Sequence, residues 1–75
     1  MKKILILGAG LSSTSLIEYL LEHSVHENWR IRLGDIALEM AKSRIGDHKN
    51  GEAIFFNVEN PDQLAIEVKN ADIVI

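Results

Sequence analysis

The apolar run Ile4-Leu5-Ile6-Leu7 stops at Gly8-Ala9-Gly10, and four hydroxyl side chains, Ser12, Ser13, Thr14 and Ser15, soon follow. A strand that is continuously apolar needs cover on both faces, as in the parallel sheet of an α/β protein. The glycines at its end call for a sharp turn. Beyond that turn Leu11, Leu16, Ile17, Leu20 and Leu21 recur at helical spacing, opposite Glu18, Glu22 and His23. The junction predicts a buried strand, a tight turn and an amphipathic helix from about Ser12 to His23.

The alternation continues along the chain. His26 to Asn28 read as a loop, and Trp29 to Leu33 as a second strand with Trp29, Ile31 and Leu33 on one face. Asp35 follows at its end. A helix is expected from about Ile36 to Ile45, with a stripe of Leu38, Ala41 and Ile45 and with Gly46 placed to end it. After the polar loop Asp47 to Gly51, Ala53 to Phe56 form a third apolar run that ends at Asn57 and Val58. Asn60 and Pro61 fit the N-cap and first position of a third helix, reaching about Asn70 and burying Leu64, Ala65 or Ile66, and Val68. Ala71 to Ile75 read as a fourth strand.

Strand and helix thus alternate from one end of the chain to the other. Crossovers between parallel strands are right-handed in about 98% of cases. The expected fold is therefore α/β, a doubly wound parallel sheet with spatial strand order 3-2-1-4. The fourth strand leaves an uncovered apolar edge, which is expected to promote self-association into a homo-oligomer. On this reading residues 1–75 are the first part of a nucleotide-binding domain, cut off after strand 4, with any substrate or catalytic domain outside the chain.

Size and charge narrow the functions further. A chain of 75 residues can make one small domain, burying roughly 60% of the surface its unfolded form exposes. Apolar residues make up 47%, ordinary for a globular domain and too many for a disordered one. The net charge is −3 and the eight Lys and Arg form no dense cluster, which argues against a nucleic-acid partner. There is no cysteine, hence no disulfide framework and no thiolate metal site. Met1-Lys2-Lys3 precedes too short an apolar run for a secretory signal, which needs about 7–15 such residues, or for a membrane span, which needs about 20. The cytoplasm is the expected location. His23, His26 and His48 read as solvated side chains rather than metal ligands.

Gly8-Ala9-Gly10-Leu11-Ser12-Ser13 matches G-x-G-x-x-[small] at a strand-to-helix junction. Gly8 allows the turn, and Gly10 lets backbone approach a pyrophosphate with no Cβ in the way. Ser13 stands where a small residue lets helix and strand pack closely. The free amides of a helix N-terminus complete an anion site. Asp35 falls about 20 residues beyond Ser13, the spacing of the acid that binds the adenosine ribose. A carboxylate there repels a 2′-phosphate and no Arg immediately follows it, so NAD is expected over NADP. Asn57 and Val58 end the third strand, where such folds contact the adenine; the competing reading is a simple loop asparagine. No nucleophile–base pair is visible, so catalytic residues are expected elsewhere.

The stretches KKILILGAGLSSTSLIEYLLEH, RLGD and NPDQLAIEVKNADIVI together resemble the N-terminal, Rossmann-like NAD(P)-binding domain of the saccharopine dehydrogenase family. The resemblance implies that Gly8, Gly10, Leu11, Ser12 and Ser13 hold the pyrophosphate. It also implies that Asp35 with Ile36 selects the cofactor, and that Asn57 and Val58 lie beside it. It further implies an oxidoreductase that makes or breaks an amino-acid conjugate in lysine metabolism, the 75-residue segment being inactive by itself. The alternative from another class is a ligand-sensing module of the potassium-transport regulatory type, which binds nucleotide without chemistry.

Overall fold

The computed structural model describes residues 1–8, 14–57 and 59–75. Among them four strands and three helices alternate: β1 (Lys2–Leu7), α1 (Thr14–Glu27), β2 (Trp29–Asp35), α2 (Leu38–Ile45), β3 (Gly51–Phe55), α3 (Pro61–Lys69) and β4 (Ile73–Val74). The strands form one sheet in the order β3-β2-β1-β4, every pairing parallel. This is the doubly wound arrangement that the alternation predicts.

Register places Ile4 beside Ile31, and Ile6 beside Leu33, which in turn lies beside Ala53. Side chains alternate between faces along a strand, so these residues present one continuous apolar face. Ile17, Leu20 and Leu21 of α1 and Ala41 and Ile45 of α2 close over it, with Trp29 packed at its margin. Each large aliphatic side chain fully buried there contributes about 1.5–3 kcal/mol. Most of the stability therefore lies on this side of the sheet.

Several boundaries differ from the sequence expectation. Helix α1 continues through His26 and Glu27, which read as loop, and Asn28 makes the turn alone at φ 59°. Asparagine tolerates that left-handed conformation better than most residues, and its carbonyl accepts from the Lys2 N–H at 3.1 Å. Helix α2 begins at Leu38 rather than Ile36, because the Asp35 carboxylate accepts the Ala37 N–H at 2.8 Å and holds residues 35–37 in an Asx turn. Strand β3 starts early, at Gly51, in register with Ile31, and ends at Phe55.

The opposite face is built differently. Helix α3 forms as its cap predicts: Asn60 Oδ1 accepts from the amides of Asp62 at 3.1 Å and Gln63 at 3.2 Å, with Pro61 at the first position. Its apolar residues, however, are not buried as expected. Leu64 is half-buried, and Ala65, Ile66 and Val68 are exposed. The sheet beneath α3 explains this, since it presents Arg30, Arg32 and Glu52 alongside Leu5 and Ile54. Arg32 pairs with Glu67 of α3, and its Nε lies 3.5 Å from Glu52, which also takes Arg30 at 3.3 Å. Polar contacts hold α3 where a hydrophobic seam was expected. Glu67→Gln is therefore expected to cost about 1–2 kcal/mol and to speed amide hydrogen exchange in α3 relative to α1. Unchanged exchange in α3 would show that this ion pair does not dock the helix.

Candidate nucleotide-binding site

The carboxyl ends of three adjacent strands meet at a cleft of about 390 Å³. Leu7 and Gly8 come from the end of β1, and Gly34, Asp35 and Ile36 from the end of β2. Phe56, Asn57 and Glu59 follow β3. Ligands of open α/β sheets bind outside the carboxyl ends of the strands.

Backbone hydrogen bonds carry the sheet into the floor of this cleft. The Gly8 N–H donates to the Gly34 carbonyl at 2.8 Å, and the Phe56 N–H donates to the Asp35 carbonyl at 3.1 Å. Gly8 has φ +89°, a conformation costly for any residue with a Cβ. Among the described residues beyond its chain neighbours, no atom lies within 4 Å of the place a Gly8 Cβ would take. The glycine is required here by its dihedral angle.

Gly34 is required for the opposite reason. A Cβ at this position would lie 2.8 Å from Phe56 Cβ and 3.2 Å from Phe56 Cγ. The missing side chain lets Phe56, which is 2% exposed, lie directly against β2. The two residues form one packed wall, beside the Asp35 carboxylate.

Asp35 is half-buried at the last position of β2, one oxygen accepting the Ala37 N–H. Ile36, 64% exposed, sits beside it at the cleft. Asn57 Oδ1 accepts the Glu59 N–H at 3.0 Å and so shapes its own loop. The charged side chains among the described lining residues, Asp35 and Glu59, are both acidic.

Of the residues singled out in the sequence, the structure brings Gly8, Asp35, Ile36 and Asn57 together around one cleft. Gly10, Leu11, Ser12, Ser13 and Val58 lie outside the described residues. Leu7, Gly34, Phe56 and Glu59 join the site without having been picked out. Gly34 alone carried a signal, because a glycine inside a strand marks close approach of another group. The histidines sit elsewhere: His23 stacks on Tyr19 in α1, with ring centroids 4.1 Å apart, and His48 accepts the Asn50 N–H. Among the described residues no three His, Cys, Asp or Glu side chains gather as a metal site, and no helix is long and apolar enough to cross a membrane.

Strand order and crossovers together define a doubly wound, Rossmann-like parallel α/β fold. A solved structure with this fold is the dTDP-glucose 4,6-dehydratase of Bacillus anthracis str. Ames, determined in complex with NAD. The two superpose with a TM-score of 0.69 at 24% identity, over 99% of this chain and 25% of that one. The chain thus spans about a quarter of the dehydratase's length, and the likeness is one of fold. No protein-family model and no curated protein matches the chain.

Proposed function

We propose that this chain is the dinucleotide-binding segment of an NAD-dependent oxidoreductase, with the substrate and catalytic domain supplied by other sequence. The observation that carries the reading is the meeting of Gly8, Asp35, Ile36 and Asn57 at one cleft on the carboxyl side of the sheet. Gly8, left-handed at the end of β1 and without a Cβ, fits the approach of a phosphate group, and Asp35 fits a ribose diol. Gly10, Leu11, Ser12 and Ser13 would complete the pyrophosphate cradle, and Val58 would stand with Asn57 beside the adenine. The two acidic lining residues favour NAD over NADP, because a 2′-phosphate placed among them is repelled. The NAD held by the dTDP-glucose 4,6-dehydratase of the same fold supports this choice.

The cofactor would supply hydride transfer, while the residues of this chain bind and orient it. At a finer level we propose a saccharopine dehydrogenase-like parent acting on an amino-acid conjugate of lysine metabolism in the cytoplasm. This rests on the sequence resemblance. Self-association along the outward side of β4, where Ile73 and Val74 are exposed, belongs to the same proposal.

Calorimetric titration of the protein with NAD⁺ and NADP⁺ tests the reading. Binding of NAD⁺ at least about tenfold tighter than NADP⁺ is expected, a difference of about 1.4 kcal/mol. A flat titration with both would reduce the Gly-rich junction to a turn and remove the oxidoreductase reading.

A further inference from the structure

Among the described residues strand β3 is an edge of the sheet, with no strand on the side facing away from β2. Backbone groups on such an edge normally turn to water. Here the Gln63 side chain occupies it. Its Nε2 donates to the Phe55 carbonyl at 2.8 Å, and its Oε1 accepts the Asn57 N–H at 3.2 Å. One amide side chain thus supplies the donor and acceptor that a residue of another strand would have supplied. It holds the chain on both sides of Phe56, the residue packed against Gly34 in the cleft wall.

The sequence around Gln63 points to another role. Asn60-x-x-Gln63 has the N-cap to N3 spacing of a capping box, in which the N3 side chain reaches back to the N-cap amide. In this chain the Asn60 N–H donates to the Asn57 carbonyl at 2.9 Å instead. That leaves the Gln63 amide to bridge Phe55 and Asn57. The helix start and the cleft wall are joined through this one side chain.

We infer that Gln63 is a positioning residue for the nucleotide site, fixing Phe56 and Asn57 where a bound dinucleotide meets them. The inference rests on the dinucleotide reading given above. Gln63 does not line the cleft; its bonds to Phe55 and Asn57 hold Phe56 between them. Leucine at this position fills similar space but makes neither bond. Glutamate keeps the acceptor for the Asn57 N–H and sets a carboxylate against the Phe55 carbonyl. Asn60→Ala is the matched control, because it weakens the same helix through its cap and removes neither Gln63 side-chain bond.

The experiment measures NAD⁺ affinity by calorimetry and amide hydrogen exchange by NMR for the wild type, Gln63→Leu, Gln63→Glu and Asn60→Ala. Gln63→Leu is expected to weaken NAD⁺ binding on the order of tenfold and to speed exchange of the Asn57 amide, leaving β1 and β2 unchanged. Gln63→Glu should fall between it and the wild type, and Asn60→Ala should keep the affinity within about twofold while lowering the melting temperature. Unchanged affinity in Gln63→Leu, or unchanged exchange at Asn57, overturns the inference. An equal loss of affinity in Asn60→Ala does the same, since helix stability would then account for the effect. A wild type that binds no NAD⁺ removes the dinucleotide reading and the inference with it, and this shows before any variant is compared.

Discussion

Gly34→Val is expected to lower the melting temperature of the chain by about 12 °C or more. A Cβ alone at position 34 meets Phe56 Cβ at 2.8 Å, and the two further carbons of valine have to enter the same space. Neither side can yield easily. Gly34 is hydrogen-bonded into the sheet through the Gly8 amide, and Phe56 is nine-tenths or more buried, with its own amide bonded to Asp35. Overpacking a closed site typically costs about 1–3 kcal/mol and occasionally more. A domain of this size has a net stability of only a few kcal/mol, so partial unfolding at 25 °C is the anticipated outcome. Thermal denaturation followed by circular dichroism measures it. The companion Gly34→Val/Phe56→Ala double variant should recover much of the loss, because the added carbons then occupy space the ring has left. Simple additivity of the two single effects would show that the Phe56 contact is not the cause.

On the proposed dinucleotide reading, Asp35→Asn is expected to reverse or abolish a preference for NAD⁺ over NADP⁺ while leaving the turn intact. Asparagine keeps an oxygen to accept the Ala37 N–H, so the Asx turn ahead of α2 persists. What disappears is the negative charge. A hydrogen bond to a charged group contributes about 1.5–3 kcal/mol, so NAD⁺ affinity should fall on the order of 10- to 100-fold. NADP⁺, no longer repelled, should bind as well as NAD⁺ or better. Asp35→Ala removes charge and acceptor together, and its additional loss of thermal stability isolates the structural share. If Asp35→Asn leaves the discrimination unchanged, the selectivity resides elsewhere in the cleft, with Glu59 the next residue to replace.

Much of the architecture was legible because its signals are local. The continuous apolar run of β1, the helical spacing of Leu16, Ile17, Leu20 and Leu21, and the Asn60-Pro61 cap each concern residues a few positions apart. All three appear in the structure. Misjudged boundaries were decided by single hydrogen bonds or dihedral angles. Asp35 delays α2 through the Ala37 amide, and Asn28 ends α1 two residues beyond His26, where the sequence places the start of the loop.

The lining of the candidate cleft was legible in half. Gly8 and Asp35 carry recognisable signals because one needs a left-handed turn and the other stands at a set distance from the glycines. Phe56, Glu59 and Gln63 carry none. Phe56 reads as one more strand aromatic until Gly34 is found opposite it, and Gln63 reads as half of a capping box until its amide is seen bridging β3.

The sequence by itself therefore determined the alternation of strand and helix, the Asn60 cap of α3, Gly46 at the end of α2, the left-handed glycine at the end of β1 and the acid at the end of β2. Tertiary structure alone decided that α3 lies over a charged face and keeps Ala65, Ile66 and Val68 exposed, that Gly34 and Phe56 share a wall, and that Gln63 completes an edge. The physical reason is range. Periodicity and turn chemistry act between near neighbours along the chain, whereas burial and hydrogen-bond partnership depend on which strands lie side by side and which face each crossover covers.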